Sequence, residues 1–308
     1  MNRWGEKRYH SMDYDLKELY GEKVYKITLN GGMTCPNRDG KIGHGGCIFC
    51  SSAGSGDFAG SATCSITEQL VMGKENLTKK RPVHSYIAYF QAFTNTYAPV
   101  EYLRRIYMEA IQDPDVQILS IATRPDCLPE DILQLLEEIN QIKPVWVELG
   151  LQTIHPQTAT YIRRGYPLEV FEEAVNNLRR RNISVITHTI LGLPGENEDM
   201  MLETIDYLNK MDIQGIKLQL LHILKGTDLA LDYEKQPFWS PTMEEYISLL
   251  GKCIARLRPD ITIHRLTGDG PKELLIAPLW TSQKRTVLNT LHRYLKEQDI
   301  WQGKEYHV

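Results

Sequence analysis

The sequence predicts an α/β protein built around a parallel sheet. Three observations lead to this prediction: six short apolar segments recur along the chain, amphipathic helical segments separate them, and polar motifs stand where the apolar segments end. Apolar strands that alternate with amphipathic helices are typical of a parallel sheet covered by helices. In such folds the functional groups lie at the C-terminal ends of the strands. Periodicity alone does not separate a barrel from a doubly wound open sheet.

The strands are predicted from apolar segments rich in β-branched and aromatic residues, and the helices from apolar residues at helical spacing. The six strands are predicted at residues 24–29, 85–91, 116–122, 145–151, 183–191 and 215–223. Helices are predicted at residues 65–80, 99–112, 129–141 and 198–211, with two more between 155 and 181. After residue 225 the pattern changes to a helix at 240–257, a strand at 261–266 and a final helix at 281–298. We expect this last third to pack onto the rest of the fold.

The composition bounds the class of protein. At 308 residues and 42% hydrophobic composition, the chain can bury a large core as one domain. Its net charge of −4 gives no overall signature of nucleic-acid binding, so RNA contacts would have to come from the basic runs at residues 79–81, 179–181 and 284–285. No apolar run approaches the ~18 residues of a membrane span, and the N-terminal residues lack the apolar core of a signal peptide. We therefore expect a cytoplasmic protein with no membrane partner.

Three cysteines lie close together in a loop after the first predicted strand. Cys35, Cys47 and Cys50 fall within residues 34–58, with glycine and proline between them, so the loop can turn its thiols inward around one centre. A structural zinc site closes with a fourth ligand, for which His44 is a candidate, whereas three ligands leave one metal position open for chemistry. The other cysteines have no partners at ligand spacing and are expected to be buried thiols: Cys64, Cys127 and Cys253.

This loop resembles the cluster loop of radical SAM enzymes. In that family three cysteines, usually spaced CxxxCxxC, hold a [4Fe-4S] cluster whose fourth iron binds S-adenosylmethionine. Here eleven residues separate the first two cysteines, and this longer gap resembles the branch that contains the catalytic subunit of Elongator. The resemblance implies the three cysteines as metal ligands, with a [4Fe-4S] cluster and S-adenosylmethionine as cofactors. It also implies a partial (β/α)6 TIM-type barrel at residues 24–230, with an N-terminal extension at 1–23 and a C-terminal extension at 231–308.

Motifs at the ends of three strands resemble the family's cofactor-binding motifs. The segment QAFTN begins at Gln91 and stands where the family has its GGE region, although its sequence departs from that pattern. ATRPD contains Arg124, whose guanidinium fork suits a carboxylate, and resembles the ETRPD of the Elongator branch. A surface salt bridge remains an alternative for this arginine. VELGLQT places the carboxylate of Glu148 in an apolar strand, where a buried charge without a partner is costly. The same segment resembles the family's ELGxQS motif. The resemblance implies cofactor contacts from Gln91, Arg124, Glu148 and Gln152.

Later motifs extend the resemblance. RRGY resembles the family's RGH and implies Arg164 as a cofactor contact. HTILGLPGE resembles the family's adenine-recognition turn, in which glycines let the backbone approach a flat ligand and proline fixes the turn. This turn implies Gly192 and Pro194 as contacts, and His188 at its start faces either the cofactor or the core. Phe49, directly before the third cysteine, fits packing against a flat ligand.

The motifs together resemble a radical SAM enzyme over residues 24–229. In this family a reduced cluster cleaves S-adenosylmethionine to a 5′-deoxyadenosyl radical that abstracts hydrogen from the substrate, while the protein orients the reactants and excludes water. No side chain beyond the cluster ligands need act in the chemistry. The YhcC/YtqA (MnmL) type of the Elongator-like branch implies modification of the tRNA wobble uridine, from 5-carboxymethylaminomethyl toward 5-aminomethyl.

The expected partners are therefore tRNA and an electron donor such as flavodoxin or ferredoxin. Two alternatives remain open at the level of the sequence. One is a radical SAM enzyme that acts on a small molecule or a peptide. The other is a zinc-stabilised RNA-binding module without catalysis.

Overall fold

The computed structural model describes residues 4–54, 56–79, 83–268 and 270–307. The strands found there are β1 Tyr25–Leu29, β2 Tyr86–Phe90, β3 Val116–Thr123, β4 Val145–Gln152, β5 Ser184–Leu191, β6 Gly215–Leu220, β7 Ile223–Leu224, β8 Thr262–Arg265 and β9 Leu275–Ala277. Seven of them form one parallel sheet in the order β1, β2, β3, β4, β5, β6, β8, and β7 pairs with β9 in a small antiparallel sheet. The large sheet curls into a half-barrel, which confirms the predicted α/β partial TIM-type barrel.

The helices cover the convex side and the ends of this sheet. They are α1 Met12–Tyr20, α2 Ile66–Thr78, α3 Val100–Gln112, α4 Glu130–Asn140, α5 Pro156–Tyr161, α6 Leu168–Arg179, α7 Glu198–Leu208, α8 Asp228–Lys235, α9 Met243–Arg256 and α10 Lys284–Glu297. Two of them begin with capping boxes, at Ser65 and at Thr242, where a side-chain oxygen satisfies a free amide of the first turn. None of the helices in the described ranges is long and apolar enough to cross a bilayer.

The six predicted strands are present close to their predicted bounds, and the structure adds two features. The strand predicted at 261–266 is β8, which joins the same sheet beside β6 as its seventh strand. Helix α8 and the β7–β9 pair were not predicted. The helix predicted at 65–80 ends at Thr78, and Lys80 and Arg81 of the first basic run lie outside the described residues.

The two faces of the sheet have different environments. On the convex face, side chains such as Ile27, Val147 and Leu218 are buried against the helices in the main apolar core. The concave face changes along the strands. Near the strand N-termini it is apolar, where Ile87 packs with Leu16 of α1 in a separate buried cluster. Charged side chains follow in the middle, and a cavity opens at the strand C-termini.

The two ends of the chain meet at the base of the half-barrel. Asp15 of α1 accepts a hydrogen bond from Thr262 Oγ1 at 2.6 Å. The Ile263 amide donates to the carbonyl of His10 at 2.7 Å, and the His10 amide donates to Gln302 Oε1 at 2.8 Å. The N-terminal helix and the C-terminal residues therefore close the end of the half-barrel that lies opposite the cavity.

Candidate active site

One cavity on the concave face brings most of the predicted site residues together. Its wall lies at the C-terminal ends of the strands, where side chains of neighbouring parallel strands converge. Ten of the residues predicted from the sequence line it: Cys35, Cys47, Phe49, Cys50, Gln91, Arg124, Glu148, Gln152, Arg164 and His188. Gly192 and Pro194 are not among the residues that line this cavity.

The cysteines lie in the loop between β1 and α2, and two polar side chains hold that loop in shape. Arg38 donates from Nη2 to the carbonyl of Ser51 at 2.6 Å. Asn37 donates from Nδ2 to the carbonyl of Arg163 at 2.7 Å, and the same nitrogen lies 3.5 Å from Cys47 Sγ. One of these side chains therefore closes the loop on itself, and the other binds it to the segment at Arg163.

The clustered thiols form no disulfide, and a hydrogen bond links two of them. All six cysteines of the chain are free. The pKa of Cys47 is lowered to about 7, because Cys50 donates a hydrogen bond to its sulfur and because Arg124 and Asn37 lie nearby, against the opposing effect of burial. The same hydrogen bond, together with burial, raises the pKa of Cys50. Since the thiolate is the form that binds metals, Cys47 is prepared for ligation near neutral pH.

This donor set suits an iron–sulfur cluster. In the described ranges, no three histidine, cysteine or acidic side chains are close enough to hold a single metal ion. His44, the candidate fourth zinc ligand, is exposed. A cluster takes one thiolate on each of several irons, so its ligands are distributed over a surface rather than around a point. The three thiols on one cavity wall match that requirement.

Two arginines border the cavity, and their donors bind groups within the chain. Arg124 forms a bidentate pair with Asp126, at 2.9 Å from Nε and 2.7 Å from Nη2. It also donates from Nη1 to the carbonyl of Arg164 at 3.0 Å. Arg164 in turn donates to the carbonyls of Leu151 at 3.1 Å and Thr153 at 2.6 Å, which fixes the end of β4. The salt bridge considered for Arg124 is therefore present, and it is mostly buried rather than on the surface.

Gln152 brings an unpartnered polar atom to the cavity. The pairing of β4 with β5 is irregular between Gly150 and Gln152. Gln152 has a φ of 62°, in the left-handed region that non-glycine residues adopt at a cost. Its Oε1 is buried and has no hydrogen-bond partner among the described residues. A strained backbone that carries a buried acceptor without a partner is typical of a ligand-binding position.

Glu148 lies at the centre of a cluster of charged side chains in the middle of the half-barrel. Its Oε1 accepts hydrogen bonds from Lys26 Nζ at 2.7 Å and from Ser120 Oγ at 2.9 Å. Its Oε2 lies 2.7 Å from His188 Nε2 and also accepts from Lys217 Nζ. These partners come from β1, β3, β5 and β6, so one carboxylate connects five strands of the sheet.

Burial and neighbouring charges set the protonation of this cluster. Burial alone would raise the pKa of Glu148, but Lys217, Lys26 and His188 hold it well below its usual value. Burial and the charge of Lys217 lower the pKa of His188 to about 4. At neutral pH Glu148 is therefore a carboxylate and His188 is a neutral imidazole, which we assign as the tautomer that donates its Nε2 proton to Glu148.

The turn after β5 lies beside the cavity. Gly192 has a φ of 82°, and a side-chain carbon added there would lie 3.3 Å from Leu220. Pro194 borders a separate shallow cavity together with Phe238. The two predicted contacts in this turn are therefore apart from the wall that the cysteines share.

The same turn nevertheless supports the cysteine loop. Leu193 belongs to a buried apolar cluster with Ile48 and Ile162, and Phe49 packs against this cluster while it lines the cavity. The Ile48 amide donates to the carbonyl of Ile162 at 3.2 Å. Through these contacts the turn is joined to the residues between the second and third cysteines.

The sequence analysis did not predict the contacts of the charged cluster around Glu148. Lys26 and Lys217 bind Glu148, the Tyr89 hydroxyl lies 3.1 Å from Lys217 Nζ, and Arg265 lines the cavity from β8. A signal for the two lysines was present, because each stands inside an apolar strand where an unpaired ammonium group is costly. A lysine in such a position predicts a buried carboxylate, and Glu148 was the available one.

Comparison with known proteins places this geometry in a family. The model of the Radical SAM superfamily matches residues 37–208, and that of the Radical_SAM C-terminal domain matches residues 213–297. Protein YtqA of Bacillus subtilis is 47% identical over 299 residues, which cover 97% of this chain and 93% of that protein. Protein YhcC of Escherichia coli is 40% identical over 287 residues, which cover 93% of this chain and 92% of that protein.

More distant proteins share part of the sequence or the fold. A Methanocaldococcus jannaschii protein named tRNA uridine(34) acetyltransferase is 23% identical over 190 residues, which cover 59% of this chain and 33% of that protein. The solved structure of Methanocaldococcus infernus Elp3 with an N-terminal deletion superimposes with a TM-score of 0.68 at 16% identity, over 91% of this chain and 64% of that one. One family model covers more than half of the chain and two relatives match nearly all of it. The chain therefore belongs to the radical SAM superfamily and is an enzyme of that class.

Proposed function

We propose that this enzyme modifies the wobble uridine of tRNA, from 5-carboxymethylaminomethyl toward 5-aminomethyl, with S-adenosylmethionine and a [4Fe-4S] cluster held by Cys35, Cys47 and Cys50. The observation that carries the cofactor assignment is the single cavity in which the three thiols meet the strand-end polar groups. Flavodoxin or ferredoxin is the proposed class of electron donor. When bound, the cluster and S-adenosylmethionine supply the one-electron chemistry that activates a substrate C–H bond.

The chain's own polar groups hold and orient the cofactor in this proposal. Gln152 offers a buried acceptor without an internal partner, so it accepts a hydrogen bond from the cofactor at no cost to the fold. Gln91 and His188 border the same space. Arg124 and Arg164 act mainly by fixing the wall, because their donors bind Asp126 and backbone carbonyls. Gly192 and Pro194 act through the apolar cluster that supports the cysteine loop.

Glu148 and His188 keep their protonation states in this proposal. Glu148 is surrounded by cations and stays ionised, and His188 stays neutral, so neither group is suited to exchange a proton near neutral pH. Their role is to fix the inner wall of the cavity. Phe49 and the apolar cluster behind it limit the access of water from the side of the cysteine loop.

The proposed substrate is supported by distant relatives. The Methanocaldococcus jannaschii relative described above is named for an activity on tRNA uridine 34, the wobble position. The overlap covers 59% of the present chain. The second candidate, a radical SAM enzyme acting on a small molecule or peptide, uses the same cavity and differs only in what enters it.

Nucleoside analysis of tRNA tests this proposal. In an organism that encodes this chain, its deletion is expected to raise 5-carboxymethylaminomethyluridine and to remove the nucleosides formed from 5-aminomethyluridine. Wild-type protein should restore the pattern, and Cys47→Ala should not. Unchanged wobble uridines would remove tRNA as the substrate and leave the enzyme class intact. In that case 5′-deoxyadenosine formation by the reconstituted protein should be insensitive to added tRNA.

A further inference from the structure

The end of β4 contains a strained three-residue turn around Gln152. The Thr153 amide donates to the carbonyl of Leu151 at 2.8 Å, so the chain turns within these three residues. The φ of Gln152 is 62°, and a γ-turn whose central residue has a positive φ is rare and strained. The pairing of β4 with β5 is also irregular at this position. A turn of this kind persists only where the surrounding structure holds it.

Three hydrogen bonds from the segment after α5 hold this turn. Arg164 donates from Nη1 to the carbonyls of Leu151 at 3.1 Å and Thr153 at 2.6 Å. The Tyr166 hydroxyl donates to the carbonyl of Gly150. Both donor side chains are buried, so water does not compete freely for these carbonyls. The backbone is therefore bound on both sides of the strained residue.

Gly150 provides the space that the Gln152 side chain occupies. A side-chain carbon added at Gly150 would lie 2.7 Å from Gln152 Nε2 and 3.4 Å from its Oε1. The amide of Gln152 therefore lies over the Gly150 backbone, and the carbonyl of that same glycine is bound by Tyr166. The place of the unpartnered Oε1 in the cavity thus depends on a backbone position that the Tyr166 hydroxyl fixes.

Two arginines hold Tyr166 itself. The guanidinium carbons of Arg124 and Arg164 each lie 4.9 Å from the centre of its ring, within the range of a cation–π contact. Arg124 also donates from Nη1 to the carbonyl of Arg164 at 3.0 Å, which joins the two arginines. Burial raises the pKa of Tyr166, so its hydroxyl keeps the proton that it donates. The ring is therefore fixed in the orientation that brings the hydroxyl to Gly150.

The same segment contacts the cysteine loop. Asn37 donates from Nδ2 to the carbonyl of Arg163 at 2.7 Å, and this nitrogen lies 3.5 Å from Cys47 Sγ. Gly165 has a φ of 82°, and a side-chain carbon added there would lie 2.8 Å from Asn37 Oδ1. Residues 163–166 therefore connect the loop that carries the thiols with the turn at the end of β4.

We infer that Tyr166 is a positioning residue for S-adenosylmethionine, which it serves by fixing the turn from which Gln152 presents its Oε1. The inference rests on the cofactor site of the proposed function. Tyr166 also lines the cavity, so a direct contact with the ligand is the alternative to be separated. If Tyr166 acts through Gln152, its hydroxyl affects binding only while the Gln152 amide is present. A direct contact would act independently of that amide.

A double-mutant cycle on ligand affinity tests the inference. Anaerobic calorimetry measures the binding of S-adenosylmethionine to the reconstituted chain without a reductant, so that the ligand is not cleaved. Gln152→Ala and Tyr166→Phe should each weaken binding about tenfold, the first by removing one hydrogen bond and the second by releasing the turn. The double variant should bind no more weakly than Gln152→Ala. Additive losses, about 100-fold for the double variant, would show that Tyr166 acts independently of Gln152 and would overturn the inference.

The matched control removes the same kind of hydrogen bond elsewhere. The Tyr246 hydroxyl donates to the carbonyl of Leu266 at 2.9 Å in the main apolar core, and Tyr246 does not line the cavity. Tyr246→Phe should lower the urea midpoint of unfolding and leave the affinity for S-adenosylmethionine unchanged. An equal loss of affinity in this control would mean that Tyr166 contributes only general stability.

Hydrogen exchange of the metal-free chain gives a readout that needs no cofactor. Tyr166→Phe should speed the exchange of the Thr153 amide, which closes the turn, and Tyr246→Phe should not. Wild-type exchange at Thr153 in Tyr166→Phe, or wild-type affinity, would overturn the inference while the cofactor site stands. If the reconstituted wild-type chain binds no S-adenosylmethionine, the cofactor assignment itself is wrong and the inference falls with it.

Discussion

Lys26 Nζ lies 2.7 Å from Glu148 Oε1, so β1 is bound to β4 across the concave face of the half-barrel although the two residues are 122 positions apart. Lys217 binds the same carboxylate from β6. A closed barrel holds its strands together by continuous hydrogen bonding, which a half-barrel lacks at its open side. Ionic contacts between distant strands provide part of the missing constraint here.

Removing the charge of Glu148 should destabilise the fold. Glu148→Gln keeps the shape of the side chain but leaves Lys217 buried without its counter-charge, which costs about 3 kcal/mol. The measurement is the free energy of unfolding from urea titrations. Glu130→Gln is the control: its carboxylate is 62% exposed and pairs with Arg181, so its loss should cost less than about 1 kcal/mol. Equal losses in the two variants would contradict the structural role of the cluster.

Stability should fall as the pH is lowered from about 6.5 toward 4. The pKa of His188 is about 4 in the folded chain and near 6.5 when unperturbed, so in this range the unfolded chain binds a proton that the folded chain does not. The contribution of the neutral His188 to the free energy of unfolding is fully present above pH 6.5. It declines below that pH, by at most about 1.4 kcal/mol per pH unit for one group. Burial lowers the pKa of His264 as well and adds to the decline.

His188→Gln should therefore make the decline with pH shallower without abolishing it. The measurement is the free energy of unfolding at several pH values across this window. His84→Gln, which replaces an exposed histidine, should reproduce the wild-type dependence. A decline that His188→Gln leaves unchanged would show that the imidazole is not held neutral in the folded chain.

Two substitutions at Gln152 should separate binding from backbone strain. Gln152→Ala and Gln152→Gly both remove the unpartnered Oε1, and each should weaken the binding of S-adenosylmethionine about tenfold, the value of one hydrogen bond of ~1.4 kcal/mol. Because the φ of residue 152 is 62°, the glycine variant should be more stable than the alanine variant by about 1 kcal/mol. Anaerobic calorimetry gives the affinities and urea titration the stabilities. Unchanged affinity in both variants would exclude this side chain from the cofactor site.

Each cysteine of the cavity should be necessary for iron. After anaerobic reconstitution, alanine variants of Cys35, Cys47 and Cys50 should lose most of the about four irons expected for one cluster and the visible absorbance that accompanies them. Cys64→Ala is the control, because Cys64 does not line the cavity. Iron retained by the three variants, or zinc in the wild-type chain, would contradict the ligand assignment.

The sequence predicted what depends on local pattern. Apolar strands were found because parallel strands buried on both sides are almost continuously apolar, as in residues 145–151. The grouping of Cys35, Glu148 and His188 in one cavity followed from a topological rule, since each lies at or near the C-terminal part of a parallel strand or in the loop after one.

What the sequence did not predict depends on contacts between distant segments. Nothing in the periodicity indicates that Lys26 and Lys217 bind the same carboxylate, or that β8 extends the sheet beyond β6. The sequence also did not predict which cavity the turn at Gly192 and Pro194 borders. A motif indicates that a turn is present but not the direction in which the turn faces. These features depend on the curvature of the sheet, which local spacing does not encode.

The hydrogen bond between His10 and Gln302 joins residues 292 positions apart. During translation, α1 and the residues before it therefore leave the ribosome long before Thr262 and Gln302, which bind Asp15 and His10, have been made. Because long-range contacts form late, a nascent chain of this protein remains incomplete at its base throughout synthesis. Loss of the Gln302 side chain would therefore be felt at His10, on the other side of the half-barrel's base and 292 positions away in the sequence.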